Sequence, residues 1–243
     1  MKKAVLALAF LAITSTQALA ASPEENGLIL QQSSVSLGKQ ITVKIGVDWF
    51  QIEIPTQGYC VASKAPEWNV VFYRPDKKIC KIIPFAEVSK KASLVGSIGA
   101  MSYTAELKLP AQYREVHRNG LIFYQYKLPG SQNEPIFLNE KMKRENVMIE
   151  YYTLTTLQTK LPRQGALLIC RMHSLPATPG IPYSLLGLRT DHNFSASLAT
   201  EKASTGKLKK PDFARISKYK KAEKLEQILY AQSPSDLYVD LIH

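Results

Sequence analysis

The sequence predicts an α+β fold, in which a curved antiparallel β-sheet forms an incomplete barrel covered by helices. Three observations lead to this fold class. Short apolar segments that alternate with polar residues follow one another between residues 28 and 83, with turn residues every eight to ten positions. Later segments have apolar residues at helical spacing instead. No internal repeat or linker divides the chain, so one domain is expected.

The strongest strand signals lie in the first third of the chain. Residues 41–45 alternate between apolar and polar side chains, as in a strand that is buried on one face. Residues 50–54 repeat this pattern after a turn at residues 46–48. Four further strands are predicted at residues 28–30, 59–63, 68–73 and 79–83.

The pattern changes after Pro84. Apolar side chains at helical spacing predict a helix over residues 85–98, and a second helix is predicted after Pro162. Asn119-Gly120 suits the tight turn of a hairpin. The remaining predictions are strands at 147–155, 183–188 and 194–200, a proline-rich loop at 175–182, and a short helix at 222–231.

The first residues have the pattern of a secretory signal peptide. Lys2 and Lys3 precede an apolar run at residues 4–13, and Ala18-Leu19-Ala20 has the small-x-small form of a cleavage site. The apolar run is only about half of the roughly 20 residues that a spanning helix needs. The predicted organisation is a signal peptide, a single domain and a C-terminal tail, at residues 1–20, 21–232 and 233–243.

The cysteines bear on the expected location of the protein. The cysteine nearest the cleavage point is Cys60, so a lipid-anchored lipoprotein is not expected, and a periplasmic or secreted protein is favoured. In an oxidising compartment two of Cys60, Cys80 and Cys170 could pair and leave one thiol free. The spacings match no zinc pattern, and neither a metal nor a cofactor is expected.

No catalytic signature emerges from the sequence. It has no Gly-x-Ser-x-Gly elbow, phosphate-binding loop or His-Glu-x-x-His motif, so an enzyme is not expected. Cys170 and His173 share one face of a predicted helix and could form a nucleophile pair. The alternative is a buried cysteine beside a histidine at the helix end, which the sequence favours.

The chain is basic, with a formal net charge of +11. Between residues 201 and 224, nine basic residues face three acidic ones, which indicates either a solvated surface or a site for an anionic membrane surface. Nucleic acid is not an expected partner of an exported protein. The candidates for contact with an anionic surface are Lys207, Lys209, Lys210, Arg215, Lys218, Lys220 and Lys221.

A curved sheet with one apolar face could enclose a cavity for a hydrophobic ligand. The alternative is that the same side chains pack a dry core, which needs no ligand. The candidate lining residues are Phe50, Ile52, Ile54, Val70, Phe72 and Ile82.

Several segments resemble the LolA-like superfamily of exported, lipoprotein-sorting proteins. The similar features are an early Leu28-Ile29-Leu30-Gln31-Gln32 strand, the F-x-I-E pattern of residues 50–53 and the Y-x-P-x-K-K pattern of residues 73–78. The proline-rich loop at 175–182 also looks like the second half of such domains. Phe213 and Tyr219 are similar to their closing aromatic positions. The resemblance covers about residues 27–222.

This resemblance implies an incomplete, strongly curved barrel with helices as a lid, holding the acyl chains of a lipid or lipoprotein without any catalytic residue. No residue matches a ligand-gripping arginine in the first strands, where Lys44 is the nearest basic side chain. The sequence therefore predicts an exported carrier or binding protein for a hydrophobic ligand. The alternative is an envelope-surface interaction module with a solid core and a basic C-terminal region. The oligomeric state stays open.

Overall fold

The computed structural model describes residues 24–91, 93–95, 107–130 and 148–230. The predicted signal peptide and the predicted tail at residues 233–243 lie outside the described residues. So do residues 92 and 96–98 of the first predicted helix.

The first part of the chain is a meander of six antiparallel strands. The alternating segments of the sequence form them, and short turns connect each strand to the next. Their bounds are β1 (Glu24–Ser34), β2 (Gly38–Ile45), β3 (Trp49–Ile54), β4 (Tyr59–Lys64), β5 (Val70–Arg74) and β6 (Ile79–Ile83).

The second part is another antiparallel meander with one helix inserted before its fourth strand. The turn between the first two strands has both Asn119 and Gly120 at positive φ, as the Asn-Gly pair predicts. Pro162 directly precedes the helix. The elements are β7 (Arg114–Arg118), β8 (Leu121–Pro129), β9 (Ile149–Leu157), α2 (Arg163–Met172), β10 (Ile181–Arg189) and β11 (Phe194–Lys209), with the short helix α1 (Phe85–Val88) ahead of them.

The two meanders form one sheet because β11 returns to pair with β1. Twelve strands follow the order β12-β6-β5-β4-β3-β2-β1-β11-β10-β9-β8-β7. All neighbours run antiparallel except β12 (Lys220–Lys221), which pairs parallel with β6 and makes the sheet mixed. The early residues of β11 pair with β10, whereas its later residues pair with β1.

The prediction of an α+β fold with helices covering a sheet is wrong. The protein is largely β, a single open sheet of twelve strands with few helical residues. Within the predicted helix 85–98, the described helix ends at Val88. The cause is tertiary: the backbone N–H of Leu94 donates to the carbonyl of Arg171 at 3.2 Å, and Leu94 and Val95 are buried without forming a helix.

The sheet has two faces that differ in what they bury. We call the face that carries Val43, Ile52 and Phe72 the inner face, because these side chains belong to the largest hydrophobic cluster, the main core. Helix α2 adds to the main core, and its Gly165 lies so close to the Trp68 ring that a side chain there would collide with it. The main core therefore joins strands of the first meander to the helix of the second.

Two smaller clusters lie elsewhere on the molecule. One of them lies on the second meander and contains Leu128 and Leu154, which point to the side of the strands opposite Phe123 and Leu157. The other lies on the outer face of β4–β6, where Ile216 of helix α3 (Phe213–Ser217) packs against Val71.

Residues 213–229 wrap around the edge strand β6. Helix α3 covers the outer face, β12 pairs with the edge of β6, and α4 (Glu226–Leu229) places Ile228 in the main core. The Nη1 atom of Arg74 donates to the carbonyl of Ile228 at 3.3 Å. The predicted helix at 222–231 is thus a single turn, held by contacts of residues 222–229 with the inner face.

Candidate functional site

The site begins where the sheet opens between β10 and β11. The two strands pair from Leu185, opposite Leu198, toward Leu188, opposite Phe194. Beyond Leu185 the strands carry β-bulges on both sides of the opening. Tyr183 is the extra residue of β10, where the register with β9 shifts, and Glu201 is the extra residue of β11, where the register with β1 shifts. Bulges re-aim side chains and end strand pairing, and they are over-represented next to functional sites.

Polar side chains hold the two sides of this opening together. The amide Nε2 of the buried Gln32 donates to the carbonyl of Pro182 at 3.1 Å and to the hydroxyl of Thr200 at 2.9 Å. The hydroxyl of Thr200 in turn donates to the carbonyl of Tyr183 at 2.5 Å. These side-chain hydrogen bonds therefore connect β1, β10 and β11 where the backbone pairing of β10 with β11 ends.

A cleft of about 690 Å³ lies at this opening. Its apolar part comes from four strands, namely β1, β8 and the consecutive β10 and β11, which are distant in sequence from the first two. The rings of Phe123 and Tyr183 meet edge to face with centroids 4.9 Å apart. The lining residues are Leu28, Arg118, Asn119, Leu121, Phe123, Tyr183, Thr200, Glu201, Lys202, Ala203, Ser204 and Thr205.

The apolar lining of the cleft is continuous with the main core. Leu28, Leu121, Tyr183 and Ala203 are only partly buried and pack against the main core. One side of each of these side chains contacts the main core, and the other side faces the cleft. Five of the twelve lining residues are apolar or aromatic and seven are polar or charged, so the cleft combines an apolar wall with a polar one.

The residues predicted to line a cavity lie elsewhere. Phe50, Ile52, Ile54, Val70 and Phe72 are fully buried, with exposed fractions of 0%, and pack together in the main core. Ile82 is on the outer face, because it pairs with Val71 and not with an inner-face residue, and it is 39% exposed. The structure thus brings five of the six together, without Ile82, and places the cleft beside them.

Ile82 lines a separate groove of about 340 Å³ on the outer face. Helix α3 forms one wall, and the outer side chains of β5 and β6 form the other. The ammonium of Lys64 lies 5.1 Å from the centre of the Phe213 ring at this groove. Phe213 therefore packs at the outer face, among the side chains that anchor the chain end.

The residues predicted to contact an anionic surface lie in different parts of the structure. Lys207 and Lys209 follow Thr205 at two-residue steps on β11, and so extend the strand face that leads away from the cleft. Lys210 is engaged, since its Nζ donates to both carboxylate oxygens of Asp48 at 2.9 and 2.8 Å. The other four lie at the chain end, on α3, beside it and on β12, namely Arg215, Lys218, Lys220 and Lys221.

The nearest basic residue to a ligand-gripping position, Lys44, does not face the main core. Lys44 follows the inner-face Val43 in β2, and because neighbouring residues of a strand point to opposite faces, its side chain lies on the outer face. There its Nζ lies 2.5 Å from the Glu53 carboxylate. An ion pair on the outer face occupies this side chain.

Cys170 and His173 are both fully buried. The Sγ atom of Cys170 lies 3.2 Å from the Thr178 hydroxyl, and burial raises the pKa of its thiol. Neither ring nitrogen of His173 has a hydrogen-bond partner within the described residues. A buried thiol with a raised pKa, hydrogen-bonded to threonine, has the environment of an inert cysteine.

The three cysteines are free thiols. Cys60 and Cys80 both pair with Tyr73, from the strands on either side of β5. Their backbones are therefore two strand spacings apart, roughly 10 Å, which is too far for a disulfide. Burial raises the pKa of the Cys60 thiol to about 11.

The described residues hold neither a metal site nor a membrane-spanning helix. No cluster of three or more histidine, cysteine, aspartate or glutamate side chains there could hold a metal ion. None of the helices described has both the length and the apolar character to cross a membrane.

Comparisons with known proteins add little to this site. No family model matches the chain, and no curated protein matches it. Among solved structures, the chain is similar to an uncharacterized conserved protein from Thermus thermophilus, with 9% sequence identity and a TM-score of 0.29, covering 81% of this chain and 89% of that chain. A likeness of this size carries no argument, so the LolA-like resemblance stays a prediction.

Sequence reasoning missed the cleft residues. The alternation of Leu121 and Phe123 marks one wall as half-buried, but nothing local indicates which strands face it. Ala203 lies in a stretch whose charges predict a basic tail. Beyond it only Lys207, Leu208 and Lys209 alternate between polar and apolar side chains, and this signal is too short to predict a strand.

Proposed function

We propose that this protein is an exported, non-enzymatic carrier or binding protein for a hydrophobic ligand, and that the ligand lies in the cleft between β1, β8, β10 and β11. The observation that carries the proposal is the half-buried apolar wall of a cleft of about 690 Å³. This volume lies within the range of roughly 300–1,000 Å³ that is typical of small-molecule sites. Export is supported by the signal-peptide pattern of the first residues.

The filled core beside the cleft supports this position of the ligand. The five predicted lining residues on β3 and β5 are all fully buried in the main core. This part of the core is therefore packed as protein interiors are. The cleft, in contrast, leaves Leu28 and Leu121 with apolar surface toward the opening. An acyl chain that covers this surface would gain about 25 cal/mol for each Å² removed from water.

Native mass spectrometry tests the proposal directly. The gently purified protein is expected to carry lipid adducts or to take up an added acyl lipid. An Ala203→Trp variant fills the cleft and should lose this uptake, whereas Ala196→Trp, an exposed position on the same strand, should retain it. Circular dichroism of both variants confirms that they fold. A clean protein mass with no uptake of added lipid would contradict the proposal.

A second candidate function is an envelope-surface interaction module. The observation that favours it is the basic segment at residues 213–221, where Arg215, Lys218 and Lys220 are exposed and, among the described residues, have no ion-pair partner. Cations at a surface attract anionic lipid head groups, and salt screens the attraction.

Liposome pelleting with anionic vesicles tests this second candidate. Deletion of residues 201–224 would remove the half of β11 that pairs with β1, so charge substitution is the cleaner change. The triple variant Arg215→Gln, Lys218→Gln, Lys220→Gln is expected to lose binding. Three substitutions of exposed lysines elsewhere, Lys39→Gln, Lys108→Gln and Lys160→Gln, serve as the matched control. Equal loss in both variants would show that net charge alone is responsible.

A further inference from the structure

The cleft has cations at its opening as well as an apolar wall. Arg118 pairs with Leu121 across the Asn119-Gly120 turn, so both side chains lie on one face of the hairpin. Phe123 follows Leu121 two residues later on the same face. The guanidinium of Arg118 is therefore attached directly beside the apolar lining, on a turn that the Asn-Gly pair makes short.

A second basic residue is among the lining residues of the cleft. Lys202 lines the cleft from β11, next to the bulge residue Glu201. Arg118 and Lys202 have no ion-pair partner among residues 24–91, 93–95, 107–130 and 148–230. Glu201 is the single carboxylate of the lining that these residues provide, so the cations outnumber it.

Further positive charge continues from the cleft along β11. Thr205 lines the cleft, and Lys207 and Lys209 follow it on the same face of the strand. Both lysines are exposed, and no ion pair engages either one in the described part of the chain. Lys207 and Lys209 therefore continue the positive charge away from the cleft, on the strand face of Ala203 and Thr205.

We propose that the ligand of the cleft is an anionic amphiphile, with its carboxylate or phosphate head group bound between Arg118 and Lys202 and its apolar chain on Leu121, Phe123 and Ala203. This inference rests on the proposed function, since it names the chemical class of the ligand for the same site. Arginine suits this role because its planar guanidinium donates two parallel hydrogen bonds to a carboxylate or phosphate. The apolar wall selects molecules that carry a chain.

Titration with three probes tests this inference, each probe added to the full chain after delipidation. Oleate carries both the charge and the chain, monoolein carries the chain with a neutral head group, and acetate carries the charge alone. We expect oleate to bind at least about tenfold more tightly than monoolein, since a hydrogen bond to a charged group is worth this much. Acetate is expected not to displace oleate at equal concentration.

The variant Arg118→Gln, Lys202→Gln should reduce oleate affinity about tenfold or more and leave monoolein affinity unchanged. The matched control is Lys39→Gln, Lys160→Gln, which removes the same charge from exposed positions outside the cleft lining. It should bind oleate as the unaltered protein does. Circular dichroism checks the fold of both variants.

The outcomes separate this inference from the proposed function. Equal affinity for oleate and monoolein would overturn the anionic head group but leave a hydrophobic ligand in place. Equal loss of oleate binding in the control variant would assign the effect to net charge and also overturn it. If neither oleate nor monoolein binds, both the inference and the proposed function fail.

Discussion

His173 is a titratable side chain enclosed in the protein interior. It caps the end of α2, where its backbone N–H donates to the carbonyls of Ile169 and Cys170 at 3.3 and 3.1 Å. Its ring nitrogens have no hydrogen-bond partner in the part of the chain that the structure describes. Burial lowers the pKa of His173 from 6.5 to about 4, because the charged imidazolium loses its hydration there.

This lowered pKa makes the stability of the protein depend on pH. Above pH 6.5 the imidazole is neutral in both the folded and the unfolded chain, and the full stability is present. As the pH falls from about 6.5 to about 4, the unfolded chain gains the proton first, so the free energy of unfolding decreases. The difference between the two pKa values corresponds to about 3 kcal/mol, after which the loss levels off.

Replacement of His173 by phenylalanine removes this contribution. We expect His173→Phe to equal or exceed the unaltered protein in stability at pH 7.5, because two buried nitrogens that have no hydrogen-bond partner among the described residues are replaced by carbon. Its advantage should grow by about 3 kcal/mol between pH 7 and pH 4. Urea unfolding at several pH values measures this. His117→Ala, at an exposed position, is the control, and parallel curves for the His173→Phe variant and the unaltered protein would contradict the prediction.

The helical spacing of Cys170 and His173 shows how far a local pattern reaches. The spacing correctly indicates a helix, and α2 ends at Met172, next to His173. It does not indicate what each side chain contacts, which depends on the loop that follows. Thr178, five residues beyond His173, provides the hydroxyl beside Cys170. The local sequence therefore predicts the element and not the environment of its side chains.

At the scale of elements, residues 220–229 cover the edge of the sheet and act as a clamp on it. Ile228 is fully buried in the main core, and its carbonyl accepts a hydrogen bond from Arg74, which also donates to the carbonyl of Gln57 at 2.9 Å. Lys220 and Ala222 add to this contact, since their backbone N–H groups donate to the carbonyls of Lys78, just before β6, and Cys80, in β6. An edge strand covered in this way is protected from pairing with another chain.

Because of this clamp, we expect truncation of a single side chain, Ile228, to lower the stability of the protein markedly. Ile228→Ala removes a buried side chain and should lower the free energy of unfolding by about 2–4 kcal/mol. Glu226→Ala, on an exposed position of the same short helix, should change it by less than about 0.5 kcal/mol. Urea unfolding of both variants measures the difference. Similar stabilities of the two variants would show that α4 is not part of the cooperative core.

The sequence predicts some elements well and others poorly, for a physical reason. The strands β2, β3, β4 and β6 lie within about three residues of the predicted segments, because alternation and turns are local signals. The second half of β11 is not predicted, since its residues are mostly polar and charged. That half is a strand because it pairs with β1, and this pairing joins residues far apart in the chain.

At the scale of the whole molecule, the cleft and the sheet have a common origin in β11. This strand pairs with β10 in its first part and with β1 in its second part, so it joins the two meanders. Where it leaves β10, the sheet opens and the cleft forms. The same long-range pairing explains why neither the open, largely β fold nor the cleft could be predicted from local patterns.

Because β11 joins the two meanders, we expect the sheet to unfold as one unit. Trp49 is buried in the first meander, and the buried Trp68 packs against α2 of the second, so their fluorescence follows the first meander and this contact, whereas far-ultraviolet circular dichroism follows the whole sheet. The two signals should change at the same urea concentration, as in a cooperative transition.

Ser204→Pro removes a backbone N–H from the part of β11 that pairs with β1, and it should lower the midpoints of both signals together. Ser204→Ala keeps that N–H and should move neither midpoint by much. A fluorescence midpoint that separates from the dichroism midpoint in the unaltered protein would show instead that the two meanders fold independently and that β11 holds them together only loosely.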